Sequence, residues 1–301
     1  MPTHVRVLKT KAFLVLIIVG FTQPALSAQR LPVFVSIVPQ KTFVQQIGRD
    51  RVDVQVMVQP GASPHTYEPK PRQMVALSRA KLYFAIGVAF EKTLLHKITV
   101  ANPAMKVVPM DRGIEKIPMA AEHRGDEDQG HNEAHHPENG GLDPHIWLSP
   151  PLVKLQAGLI LHALLEIDPA HRSAYEANYR RFLSQVDELD AELKALFAGK
   201  QGLHFMVFHP AWGYFARAYG LEQVPVEIEG KTPKPAELKA LIDHAKEKGI
   251  KVIFVQPQFS TKSAALIARE IGGQVVFADP LAEDWSANLR EVGDKFKAAL
   301  R

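Results

Sequence analysis

A chain of 301 residues, 46% hydrophobic and 23% charged, has material for one large or two ordinary domains and is not disordered by composition. Its formal charge of +4 is concentrated at the start: residues 1–28 hold Arg6, Lys9 and Lys11 and no acid, which leaves +1 for the remainder and no strong electrostatic reason to bind nucleic acid. The absence of cysteine excludes a Cys-ligated zinc site, a thiol nucleophile and a lipid-modified N-terminal cysteine.

Residues 1–28 read as an export signal. A basic start, "MPTHVRVLKTK", precedes the apolar run Ala12–Phe21, and "QPALSA" supplies small residues for cleavage after Ser27 or Ala28. The run is shorter than the ~20 residues a membrane span needs. The mature chain is therefore expected in the periplasm.

Strand and helix then alternate, the pattern of a parallel α/β domain. "LPVFVSIVP" (Leu31–Pro39) reads as a buried strand, "QKTFVQQIGRD" as a helix, and the alternating "VDVQVMV" (Val52–Val58) as a second strand. A Pro/Gly loop, "QPGASPHTYEPKP", leads to a short helix and a third strand, Lys81–Gly87. Residues 120–141 lack apolar anchors and read as a mobile acidic loop carrying His123, His131, His135 and His136. After it, Ser149 is placed to cap an amphipathic helix with proline in its first turn.

The longest helical pattern runs from Asp168 to Phe197, with Asp168 as expected cap and Gly199 and Gly202 at its end. It suits a rigid strut. The α/β pattern resumes with strands at Leu203–His209, in "IKVIFVQP" and in "GQVVFADP". The expected organisation is a signal (1–28), an α/β domain (29–167), a linker helix (168–198) and a second α/β domain (199–301), with mostly parallel sheets. No GxGxxG or Walker loop occurs to cradle a nucleotide phosphate.

Four residues share a local setting. His65 follows a strand, His145 precedes a helix in "DPHIWLSP", His209 ends "FMVFH", and Asp279 ends "VVFAD". Loops beyond the carboxyl ends of parallel strands converge on a ligand crevice. Three imidazoles and one carboxylate can close a tetrahedral shell around Zn²⁺. Each histidine taken alone is more often a hydrogen-bonded loop residue than a ligand, and Asp279 before Pro280 is more often a turn former or a helix cap. Asp143 is a candidate to hydrogen-bond the free ring nitrogen of a ligand histidine, or to serve as a cap. Glu227 and Glu229 fit an interface loop or a docking surface, and Trp147 and Trp212 fit the core or the walls of a cleft.

The motifs "PGASPHTYEP", "DPHIWLSP", "HPAWGYFARAYG", "EGKTPKPAEL", "FVQPQFS" and "ADPL" resemble, in order and over nearly the whole mature chain, the ZnuA-like (TroA-like) metal-binding proteins of bacterial ABC importers. The resemblance implies a metal held between two α/β domains by His65, His145, His209 and Asp279. It implies zinc as cargo, because manganese members usually carry Glu where this chain has His209. An acidic, histidine-containing insert before the DPH motif also marks zinc members, though here it holds only four histidines. Their expected role is weak capture of Zn²⁺ for the cleft. The implied partner is the importer's permease, and the expected state is a monomer.

The competing readings are a manganese- or iron-binding protein of the same family and a secreted zinc hydrolase. The second lacks an HExxH or nucleophile motif, and Asp279 would occupy the place a catalytic water needs. Ordinary imidazoles predict that zinc binding weakens below about pH 6.

Overall fold

The computed structural model describes residues 30–119, 141–227 and 233–300. The expected export signal, the four insert histidines (His123, His131, His135, His136) and Glu229 lie outside these residues.

Among the described residues, two four-stranded sheets, both wholly parallel, organise the chain. The first contains β1 (Leu31–Val35), β2 (Val52–Val56), β3 (Leu82–Ala85) and β4 (Lys106–Pro109), in the order β2-β1-β3-β4. The second contains β5 (His204–Val207), β6 (Glu222–Pro225), β7 (Val252–Val255) and β8 (Gln274–Phe277), in the order β6-β5-β7-β8. Register places Leu31 opposite Val52 and Val33 opposite Leu82. The inner strands β1, β3, β5 and β7 read as apolar runs because a parallel sheet is covered on both faces. In both sheets strand order reverses beside the first strand, where α/β folds hold their ligands.

The helices are α1 (Val38–Gly48), α2 (Pro71–Leu77), α3 (Ala89–Ala101), α4 (Pro150–Ile167), α5 (Arg172–Leu196), α6 (Gly213–Tyr219), α7 (Pro235–Glu247), α8 (Lys262–Glu270) and α9 (Trp285–Ala299). The first strand is shorter than its apolar pattern: Val38 and Pro39 open α1, because proline suits a helix's first turn and cannot donate to a ladder. Ser149 precedes α4 as expected but makes no side-chain cap, and Pro150 begins the helix. Asp168 is followed by a 3-10 turn, Pro169–His171, before α5 starts. Its carboxylate accepts from the Tyr175 hydroxyl at 2.6 Å instead of capping α5.

At 1.5 Å per residue α5 is about 38 Å long. It packs against α1 and α4 on one side and α9 on the other. Its buried Tyr175, Phe182, Val186, Leu189 and Leu193 join one hydrophobic cluster that includes Val33 and Phe84 from the first sheet and Phe205 and Phe254 from the second. The helix shares one apolar stripe with both sheets.

Candidate metal centre

Three loops bring three histidines together. His65 lies beyond β2, His145 just before the 3-10 turn Ile146–Leu148, and His209 two residues beyond β5. Their ligand nitrogens all lie within 4.8 Å of one another. His65 Nε2 is 3.0 Å from His209 Nε2, which is 3.3 Å from His145 Nε2. For Zn–N bonds of about 2.0–2.1 Å, the edge of a tetrahedron is about 3.3 Å. His145 and His209 are buried, while His65 is exposed and forms the outer side of the group.

Each buried ring is fixed from behind. His145 Nδ1 and its backbone N–H both donate to Asp143 Oδ1, at 2.6 and 2.8 Å. Asp143 is anchored in turn: its N–H donates to Ile117 O at 2.9 Å, and its carbonyl accepts from the Tyr214 hydroxyl at 2.9 Å. Gly213 allows this approach of α6, since a Cβ there would meet Asp143 Oδ2 at 3.0 Å. His209 is clamped by Gln256, whose amide oxygen accepts from its N–H and whose Nε2 donates to its carbonyl at 2.9 Å. His209 Nδ1 donates to the Glu227 carboxylate, and its ring stacks on Phe259 at 5.2 Å.

With both Nδ1–H groups donating to carboxylates, the neutral rings present only lone pairs at Nε2. Two acceptors 3.3 Å apart cannot hydrogen-bond each other, and a cation between them satisfies both. A buried dication also needs counter-charge, which Asp143 (1% exposed) and Glu227 (5% exposed) supply through the imidazoles. The cavity at the group has a volume near 20 Å³, room for one ion or water and too little for a sugar or peptide.

Asp279 stands apart from the three histidines. Its Oδ1 accepts from Gln258 Nε2 at 3.1 Å and Leu281 N–H at 2.9 Å, and it is not part of the close group of ligand atoms. Trp147, expected in the core or a cleft wall, is buried, lines the cavity, and donates its indole N–H to Pro280 O at 2.7 Å. Trp285 donates in the same way to Trp147 O at 2.7 Å. Trp212 is core. Of the two readings of Glu227, an interface loop or a docking surface, burial excludes the second: it is 5% exposed. Its signal was hard to find because its partner is 18 residues away, across β6. The ends of the insert meet in a bridge between Pro118 and Leu142, beside Asp143.

Removing the charge behind His209 tests that support. Glu227→Gln keeps an acceptor and nearly the same volume, and is expected to weaken zinc about 10–100-fold in a chelator competition. Unchanged affinity would mean that the buried carboxylate does not act on the metal.

Proton competition also changes. The His65 pKa is lowered to about 3, first by desolvation and then by the neighbouring His209 and His145 rings. That of His209 is lowered by burial, against the opposing pull of Glu227. A lowered pKa keeps a nitrogen unprotonated, and so open to metal, further into acid. Three ordinary imidazoles would each lose about tenfold in availability between pH 7.5 and 5.5. With the His65 and His209 pKa values both lowered, zinc affinity is expected to fall by less over this range than three ordinary imidazoles would give. A full thousandfold fall in a pH-stepped titration would contradict this.

Comparison with known proteins gives concordant results. The family model described as "Zinc-uptake complex component A periplasmic" matches residues 33–299. The high-affinity zinc uptake system protein ZnuA of Bacillus subtilis is 29% identical over 254 residues, covering 81% of this chain and 76% of the relative. A crystal structure of ZnuA superposes with a TM-score of 0.81 at 44% identity, covering 90% of this chain and 99% of the other. An internal-deletion mutant of ZnuA with zinc bound gives a TM-score of 0.81 at 44% identity, over 90% and 98% of the two chains.

Proposed function

The chain belongs to the zinc-uptake complex component A family of periplasmic proteins, and on that premise we propose that it captures Zn²⁺ in a cleft between its two α/β halves and delivers it to the permease of an ABC-type importer. Proteins of this family are transport binding proteins and not enzymes, which replaces the argument against hydrolysis from Asp279 filling the shell. The domain limits proposed are 29–167, 168–198 and 199–301, with α5 inside the middle segment.

The observation that carries the reading is the convergence of three imidazoles, with the Nε2 atoms of His65 and His145 at 3.0 and 3.3 Å from that of His209 and the His145 and His209 rings tied to buried carboxylates. His65, His145 and His209 are the proposed ligands. Three nitrogens suit zinc better than manganese, which favours oxygen donors. The fourth position goes to water or to Asp279. The His145 and His209 rings are held by Asp143 and Glu227 before the ion arrives, so their ordering on binding costs little. Exposed His65 is the side from which the ion enters and leaves.

The test is a zinc titration of the mature protein against a competing chelator at pH 7.5, with metal counted per chain, for wild type and His209→Ala. One tight zinc per chain, weakened in the variant, supports the site. Tight zinc that survives the substitution removes it.

A further inference from the structure

Resting on the three-histidine reading, we propose that the Tyr214 hydroxyl positions His145 for the metal, by tying the backbone behind that ring to the helix that follows His209. Ile117 and Asp143 face each other as an antiparallel pair, next to the bridge of Pro118 with Leu142. The Asp143 N–H donates to Ile117 O at 2.9 Å. Such a pair ordinarily exchanges two N–H···O bonds. Here the second rung is not direct: the Ile117 N–H donates to the Tyr214 hydroxyl oxygen at 3.1 Å, and that hydroxyl donates to Asp143 O at 2.9 Å.

Both ends of this link are anchored. Tyr214 is buried in the first turn of α6, the helix that follows His209 in the chain. The stretch between them is held by the Ala211 N–H on His209 O at 2.8 Å and by the Trp212 N–H on Gln223 Oε1 at 2.7 Å. On the other side, the Asp143 carboxylate accepts from both the ring and the backbone N–H of His145. Glycine at 213 lets α6 come this close, since a Cβ there would meet Ile117 Cδ1 at 3.2 Å as well as the Asp143 carboxylate. Among the described residues, and apart from the contact of the two rings, the Tyr214 hydroxyl makes the hydrogen bonds between the stretch 209–214 and the Ile117–Asp143 pair. The Trp147 indole reaches a different segment, at Pro280.

Through this link the hydroxyl sets the spacing of the two buried rings, 3.3 Å between Nε2 atoms. Without it, the Ile117 N–H and Asp143 O lose their common partner and can satisfy each other only by closing the pair, which shifts the carboxylate behind His145. Burial, the largest cause, raises the Tyr214 pKa to about 12, so the group remains a donor at neutral pH. A site whose rings are already spaced binds an ion more tightly than one that must first find that spacing.

The experiment titrates Zn²⁺ against a competing chelator at pH 7.5 for wild type, Tyr214→Phe, His145→Ala and the double variant. Tyr214→Phe keeps the ring and its packing, and a circular dichroism melt checks that it folds. The expected result is a zinc affinity about tenfold lower in Tyr214→Phe, the size of one or two net hydrogen bonds, and no further loss when the same change is made in His145→Ala. An equal loss in both backgrounds is a general loosening of the fold and overturns the proposal. Unchanged affinity in Tyr214→Phe, with zinc lost in His145→Ala, overturns it and leaves the histidine site standing. Zinc retained by His145→Ala removes both. If Tyr214→Phe does not fold, amide exchange in the wild type decides: by linkage, zinc must slow the exchange of the Ile117 N–H that the hydroxyl holds, and an unchanged rate overturns the proposal.

Discussion

Alanine at position 209 is expected to weaken zinc binding about a hundredfold. Structural zinc sites with four ligands bind with about 10–16 kcal/mol, so one ligand accounts for roughly 3 kcal/mol, or two powers of ten. His209 is the middle of the three: its Nε2 is the one within 3.3 Å of both other rings. Losing it leaves His65 and His145 without the nitrogen that bridges them. It also strips Glu227 of its ring partner inside the protein, which costs about 1–3 kcal/mol unless the acid takes up a proton. The melting temperature should therefore fall even without metal. A variant that still binds one zinc tightly in a chelator competition would show that the ion sits elsewhere.

Phe296→Ala is expected to cost about 3–5 kcal/mol of stability, the range for a large aromatic removed from a core. The ring is fully buried on α9 and lies 4.4 Å from Phe205, 4.5 Å from Phe254, 5.3 Å from Trp212 and 5.6 Å from Phe215, centroid to centroid. It joins strands β5 and β7 to the stretch that follows His209. Four aromatic neighbours cannot all collapse into the space left, so a cavity remains. Phe296→Leu fills more of it and should cost less. Urea unfolding measures both, and a shift in midpoint without a change in slope is the expected form. A loss below about 2 kcal/mol for alanine would mean that the cluster repacks.

The inner strands were legible because burial on both faces leaves an apolar run, as in "VIFV" and "HFMV". β4 and β6 carry no strand pattern in the sequence. They are sheet edges, and "EQVP" has one buried residue and a closing proline, so no pattern marks it. α3 ends in β-branched residues, Ile98, Thr99 and Val100, which weaken a helical signal. The three histidines stood out through their motifs and their places after strands or before a helix. Asp279 was equally visible, but a sequence does not say which way a carboxylate turns, and here it faces Gln258 and Leu281. Asp143 is two residues from its histidine and was found. Glu227 is brought to His209 only by the pairing of β5 with β6, which no local pattern encodes.

The strand order has a consequence for how the molecule comes into being. In each sheet the strand made first lies inside, flanked by the second and third to be made. β1 cannot complete its ladder until residue 82 is available, and β5 must wait for residue 252. Pairings of this span close large loops before any contact rewards them, which slows folding. A newly made copy thus stays an open thread for longer than a meander of equal size would.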